Sequence, residues 1–250
     1  MTLSDVRDHL KMKVFKVGKA QFKLSLTWTL LTLALMTFLM SLGFWQLHRA
    51  EEKKTWLKLA QRQALISPVA WYVGMAEPAV FQRLVLHGHY LPYTLLFDNQ
   101  HSNHQWGYHV LNPLEVAKEE VILVDRGWVL GDRQRSVLPF VNIPKGDLSI
   151  QGQAYYPSAK GLVLGEIIEP HGASLAVIER IDTTLISNLL HKKVYPFIIH
   201  LDKLAPFGYV RDWPIVSMPP QRHYAYALQW FAMALVLIVI YLALSLKKAE

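Results

Sequence analysis

Two uninterrupted apolar runs stand near the ends of the chain, Leu24 to Leu47 and Tyr224 to Leu246, and neither contains a charged residue. At about 1.5 Å of rise per residue, each is long enough to cross the ~30 Å hydrocarbon core of a bilayer. Both predict transmembrane helices. The first is longer than the apolar part of a signal peptide, and His48, Arg49, Glu51, Glu52, Lys53 and Lys54 follow it in place of a small-residue cleavage site, so it reads as a retained anchor. Good helix formers continue past it, with Trp56, Leu57, Ala60 and Ala64 at helical spacing, until Ser67-Pro68 ends the helix several turns above the membrane.

From about Val80 the pattern shortens to strand-like pieces: Phe81 to Tyr90, Thr94 to Phe97, Gly107 to Leu111, Val121 to Asp125, Trp128 to Leu130, Leu148 to Tyr156, Leu175 to Ile178 and Val194 to Leu201. Asp98-Asn99 and Arg126-Gly127 read as turns between them. One helix interrupts the strands, with Asp182 as N-cap before Thr183 to Leu190 and Lys192 and Lys193 near its end. Leu201 to Pro220, with Pro206, Pro214, Pro219 and Pro220, reads as an extended return to the membrane. The expected fold is an α+β membrane protein whose N- and C-terminal transmembrane helices flank a mainly antiparallel β outer domain, barrel- or sandwich-like, with one or two short helices. Its expected parts are a basic cytoplasmic tail over 1–23, helices over 24–47 and 224–246, an outer domain over 48–223, and a cytoplasmic tail over 247–250.

Composition agrees with two spans, because 52% of the 250 residues are hydrophobic, too many for an ordinary soluble domain. The net charge of +7 is concentrated in part at the ends. Arg7, Lys11, Lys13, Lys16, Lys19 and Lys23 precede the first run against Asp5 and Asp8, and Lys247 and Lys248 follow the second. Positive-inside bias then places both termini in the cytoplasm, against anionic lipid, and the central domain outside. The short, acid-containing N-terminal tail is unlike a mitochondrial transit peptide, so the expected location is a bacterial inner (plasma) membrane with a periplasmic central domain. No basic patch interleaved with aromatics marks a nucleic-acid partner. The chain has no cysteine, which excludes disulfides, thiol-based metal transfer and a thioredoxin-like role.

Enzyme motifs are missing: there is no nucleophile elbow, zincin helix, P-loop or dinucleotide fingerprint, so no catalytic residues are expected. His87, His89, His101, His104 and His109 crowd one region, but their spacing reads more readily as solvated loop histidines than as a metal site. Asp125 beside Arg126 is explained by a strand-end turn with a solvated or ion-paired carboxylate. Chemistry is better placed at the membrane. His223, Tyr226, Ala227 and Trp230 recur at helical spacing on one stripe, and His48, one turn above Trp45, stands at the same depth on the first helix. Such a stripe fits either an aromatic interfacial belt or the grip of a flat, apolar, metal-bearing ligand such as haem, whose iron takes neutral imidazole.

Five ordered stretches resemble one family. Leu42-Gly43-Phe44-Trp45-Gln46-Leu47-His48-Arg49, Arg83 to Tyr90, Gly107 to Leu114, Val121 to Val129 (VILVDRGWV) and His223-x-x-Tyr226 with Trp230-Phe231 are similar to the signatures of the Surfeit-locus cytochrome c oxidase assembly factors, known in yeast as Shy. Asp125 and Gln221 stand where the family often has Asn, and the stretch between about 160 and 180 lacks the family's Asn- and Trp-containing segment. The resemblance implies a two-span membrane protein, not an enzyme, that helps assemble haem-copper oxidase alongside oxidase subunit I and other assembly factors. It also implies haem a as the candidate cofactor, held through His223; the stripe and the depth match then place Tyr226, Trp45 and Trp230 against the ring or its tail, with His48 as second axial ligand in the bolder extension. The rivals are a haem-free scaffold that binds an oxidase subunit through its outer domain, and a periplasmic sensor, for which tails this short leave little output.

Overall fold

The computed structural model describes residues 13–17, 20–158 and 165–248. In chain order the elements are β1 (Lys13–Val17), β2 (Ala20–Leu24), α1 (Leu26–Ala64), β3 (Val69–Ala70), β4 (Arg83–Tyr90), β5 (Thr94–Ser102), β6 (Gln105–Ala117), β7 (Glu120–Leu130), β8 (Leu148–Tyr155), β9 (Ile168–Pro170), β10 (Leu175–Ile178), α2 (Thr183–Leu190), β11 (Lys193–Leu201), α3 (Pro220–Ser245) and β12 (Leu246–Lys248). They form two compact units, one of Met1–Leu57 with Val216–Glu250 and one of Lys58–Ile215.

In the first unit the apolar runs form α1 and α3, and only 11% of the most apolar window of each is buried. A soluble core helix would be covered, so length, hydropathy and exposed apolar surface together fit a membrane protein. Helix α3 starts at Pro220, four residues before the apolar run, because proline needs no N–H partner in a first turn. The basic tail does more than the charge pattern predicts. β1 and β2 pair as an antiparallel hairpin and β12 adds to β2, in a three-stranded sheet that joins the start of α1 to the end of α3. Alternation in Ala20-Gln21-Phe22-Lys23-Leu24 is the period-2 signal for it, set within a tail read for its lysines. Residues 1–12 lie outside the described part.

The second unit is built on a closed five-stranded ring in the order β4–β8–β11–β7–β6, with β6 returning to β4. All its pairings are antiparallel except β11 with β7, which gives a Greek-key barrel rather than a sandwich. β5, β10 and β9 extend the sheet beyond β6. Ile122 and Val124 point into a core with Leu84, Leu86, Leu114, Phe197 and Ile199, while Leu123 points outward to Leu95, Leu111, Ile178 and the Ile186 of α2. This two-sided burial explains why β7 reads as a continuous apolar run. The N-cap of α2 is as expected, Asp182 accepting from the backbone N–H groups of Thr184 and Leu185.

Both expected turns are instead bulges inside long strands. Asn99 (φ 57°) lies at a register shift in β5 and Gly127 (φ 109°) within β7, where a Cβ on Gly127 would stand 2.6 Å from the Val210 carbonyl oxygen. The tight turn is at Asn103-His104, both at positive φ, between β5 and β6.

Candidate functional site

The facing stripes of α1 and α3 fix the first site. Leu39, Gly43 and Ala50 are buried on α1, and His223, Ala227 and Ala234 on α3, so small residues let the backbones approach. A Cβ on Gly43 would stand 2.3 Å from the Phe231 ring, whose edge meets Phe44 at a centroid distance of 5.4 Å. Gly43→Val is therefore expected to loosen the helix pair, and Phe231→Ala in the same chain to restore it, as read by thermal unfolding in detergent. An unchanged midpoint in Gly43→Val would reject this contact.

Hydrogen bonds join the helices at both ends of the length they share. Thr29 Oγ1 and Tyr241 OH lie 2.6 Å apart, and Gln46 Oε1 lies 2.8 Å from His223 Nδ1. They are separated by about 25 Å of helix at 1.5 Å per residue, close to a bilayer core thickness. With the amide oxygen accepting, Nδ1 carries the proton and Nε2 presents a lone pair. His223 is 8% exposed, and its Nε2 has no hydrogen-bond partner among the described residues. An unmatched buried acceptor costs about 1–3 kcal/mol.

The other expected site residues are spread around the helices. His48 and Trp45 are exposed on α1, Tyr226 is exposed on α3, and Trp230 is half-buried. Gln46 and His48 are two residues apart and so about 200° apart around α1, which means that the helix face offering Gln46 to His223 turns His48 away. Gln46 stands in the sequence within the Leu42 to Arg49 stretch that resembles the family signature, one turn from Gly43 and from Ala50, but nothing there marks it as the partner of His223. Tyr224 donates its hydroxyl to Glu51, a second polar tie above the first.

The barrel holds a separate cleft of about 360 Å³, lined by Gln100, His101, His109, Asp125, His200 and Trp213 among others. Asp125 is buried and pairs with His109 Nδ1 at 2.8 Å, its other oxygen accepting from the Gly127 N–H at 2.9 Å, so its partner is His109 and not Arg126. Successive strand residues face opposite ways, which puts the Arg126 side chain on the other face of β7. His200 is stacked between Tyr155 and Trp213, at centroid distances of 4.5 and 4.2 Å. Of the remaining histidines, His87, His89, His101 and His104 are exposed, with His89 Nε2 3.1 Å from Glu115. Among the described residues no group of three or more His, Asp or Glu is arranged to hold a metal ion.

Burial pushes the His200 pKa down from 6.5 to about 4, with Asp125 pulling it up and His109 pushing it further down. An unfolded chain takes up this proton below about pH 6.5, the folded one only near pH 4, so stability falls as pH drops through that window. At about 1.4 kcal/mol per unit, the loss is roughly 3–4 kcal/mol. His200→Phe keeps the stack and should flatten this part of the pH profile of the unfolding midpoint; an unaltered profile would show that His200 is not its source.

Comparison with known proteins now bears on the helix pair and the barrel together. The model of the SURF1 family matches residues 33–235, from within α1 to within α3. The chain belongs to the SURF1 family. It is similar to SURF1-like proteins of Rickettsia felis (28% identical over 235 residues, 85% of this chain and 94% of that protein), Rickettsia conorii (28% over 214 residues, 82% and 85%) and Rickettsia prowazekii (27% over 222 residues, 84% and 86%). SURF1 proteins are assembly factors linked to cytochrome oxidase, not a recognised enzyme class. In this SURF1 chain the matched region contains the polar ties of α1 to the first turn of α3, Gln46 to His223 and Glu51 to Tyr224, and the whole barrel.

Proposed function

We propose that this chain serves assembly of haem-copper cytochrome c oxidase by holding haem a, as cargo, at the outer membrane interface and passing it to oxidase subunit I. The carrying observation is the His223 Nε2, buried and without a partner among the described residues, beside a Gln46 that fixes the other ring nitrogen. That donor suits haem iron, which accepts a neutral imidazole nitrogen. Trp230 and Phe231 follow on the same helix within reach of a ring or an apolar tail, and Trp45, Tyr226 and His48 offer further contacts from the exposed faces. The location that fits is a bacterial inner membrane with both termini cytoplasmic and the barrel periplasmic, since the lysines flank the two apolar helices on the terminal side. Other oxidase assembly factors are the expected partners of the barrel.

The test is purification of the full chain in mild detergent from cells able to make haem a. A haem absorption band that copurifies with the protein is expected, and haem-free protein from such cells would overturn the cargo reading. Exchanging α1 and α3 for an unrelated two-helix anchor separates the scaffold alternative, because a pure scaffold would still support oxidase assembly and a haem carrier would not.

A further inference from the structure

The two halves of the helix pair pack differently. Where Gly43 meets Phe231, with Ala227 and Ala234 buried nearby, α1 and α3 are in close contact. In the other half the Thr29–Tyr241 hydrogen bond ties them, yet a groove of about 580 Å³ is left beside the tie, a volume within the ~300–1,000 Å³ range of ligand sites. Trp28, Leu31 and Leu35 of α1 line it against Leu237, Ile240 and Leu244 of α3. One end is polar: Ser25 and Ser245 line the groove one helical turn beyond the tie on each helix, and Ser25 Oγ is buried without a hydrogen-bond partner among the described residues. Basic residues stand at that same end. β2 runs directly into Ser25 and β12 directly out of Ser245, so Lys23 and Lys247 are each two residues from the groove along the chain. The register gathers the lysines further, because Val14 pairs with Lys23 while Lys16 and Lys247 both pair with Gln21, which places Lys16, Lys23 and Lys247 on one face of the three-stranded sheet. No Asp or Glu occurs between Lys13 and Ala50 or between Pro220 and Ala249, so no carboxylate of these segments offsets the lysines.

We propose that this groove is a site for one anionic phospholipid, an acyl chain lying along Leu31, Leu35 and Leu237 and the phosphate among Lys23, Lys247 and the Ser25–Ser245 end. The order of the residues matches the order of parts in such a molecule, apolar along the helices and then hydroxyl-bearing and cationic where the strands begin. Charge selects the occupant: basic pockets between transmembrane helices on the cytoplasmic side bind anionic headgroups, and a neutral apolar ligand would have no use for the lysines. Trp28, exposed at this end of α1, is of the kind that sits at headgroup depth with its N–H toward polar groups. The proposal rests on α1 and α3 as membrane spans and is independent of the haem reading.

Native mass spectrometry of the full chain in mild detergent counts the lipids that it retains. Offered phosphatidylglycerol and phosphatidylcholine with the same acyl chains, the parent should keep one phosphatidylglycerol with at least about tenfold preference, since each lysine near an anionic group is worth roughly fivefold. Lys23→Gln together with Lys247→Gln, both outside the helices, should abolish the preference. Ile240→Trp, at an exposed position of the groove wall, should fill the groove and lose the retained lipid, while the thermal midpoint set by the Gly43–Phe231 contact stays near that of the parent. Equal retention of the two lipids by the parent, a preference that survives the double lysine variant, or a phosphatidylglycerol still held by Ile240→Trp would each overturn the site. So would its displacement by an isoprenoid quinone at equal concentration. Full chain that stays in solution when detergent is removed would instead remove the membrane spans on which the proposal rests.

Discussion

Arg126→Met should destabilise the barrel by about 3–5 kcal/mol, a large part of the ~5–15 kcal/mol that holds a domain folded. Arg126 is 2% exposed and donates to four acceptor contacts: Nε and Nη2 to the Phe207 carbonyl at 2.8 and 2.6 Å, and Nη1 to Asn112 Oδ1 at 2.8 Å and the Asn142 carbonyl at 2.9 Å. Tyr90 and Tyr209 offer their ring faces to the guanidinium, at 5.6 and 5.1 Å from the centroids. Burial lowers its pKa, yet a guanidinium stays charged, so the cation is held by carbonyl dipoles and π-faces. The same burial pushes the Tyr90 hydroxyl up to about 12, with Arg126 opposing. A methionine fills most of the volume and leaves three oxygens unmatched, each costing about 1–3 kcal/mol. Lysine cannot span them from a single ammonium, so Arg126→Lys should recover little. Thermal unfolding in detergent and protease cleavage within 131–147 and 202–215 measure this; a loss under about 1 kcal/mol would mean that the two segments hold without the clamp.

The same residue shows where the sequence ran out. Strand positions were legible because alternation and β-branched content are local, and β10 falls on the expected Leu175 to Ile178. Asp125-Arg126-Gly127 read as a turn because glycine and polar residues break a strand pattern locally. In the fold they are a bulge whose members face opposite sides, Asp125 to His109 and Arg126 to segments more than a dozen residues away. Closure of the ring depends on a short pairing, His89↔Glu115 and Tyr90↔Leu114 with the Leu91 N–H on the Pro113 carbonyl, that no local pattern encodes. At the helix pair, the periodicity that named His223 also named His48, since each was judged on its own helix. Only the rotation of α1 about its axis, set by Gly43 against Phe231, selects Gln46 as the residue that meets it.

Gln46 therefore governs the last expectation. If its amide oxygen holds the proton on Nδ1, Gln46→Ala frees the imidazole to rotate or change tautomer, and haem affinity should fall about 10–100-fold, the usual cost of losing the group that orients a ligating histidine. On the proposed cargo reading, His223→Ala should lose the haem band altogether, because it removes the nitrogen proposed to bind the iron. Gln46→Glu keeps an acceptor at the same place and should retain the band, shifted toward a more electron-rich axial ligand. His48→Ala, on a different face of α1, should leave the low-spin or high-spin character of the spectrum as it is in the parent; conversion from low spin to high spin would instead identify His48 as a second axial ligand. The haem-free protein supplies an independent readout, since nitrogen shifts of isotopically labelled histidine report which ring nitrogen carries the proton. A single Nδ1–H tautomer in the parent that becomes mixed in Gln46→Ala is expected, and a tautomer indifferent to residue 46 would remove Gln46 from the site while leaving His223 in it.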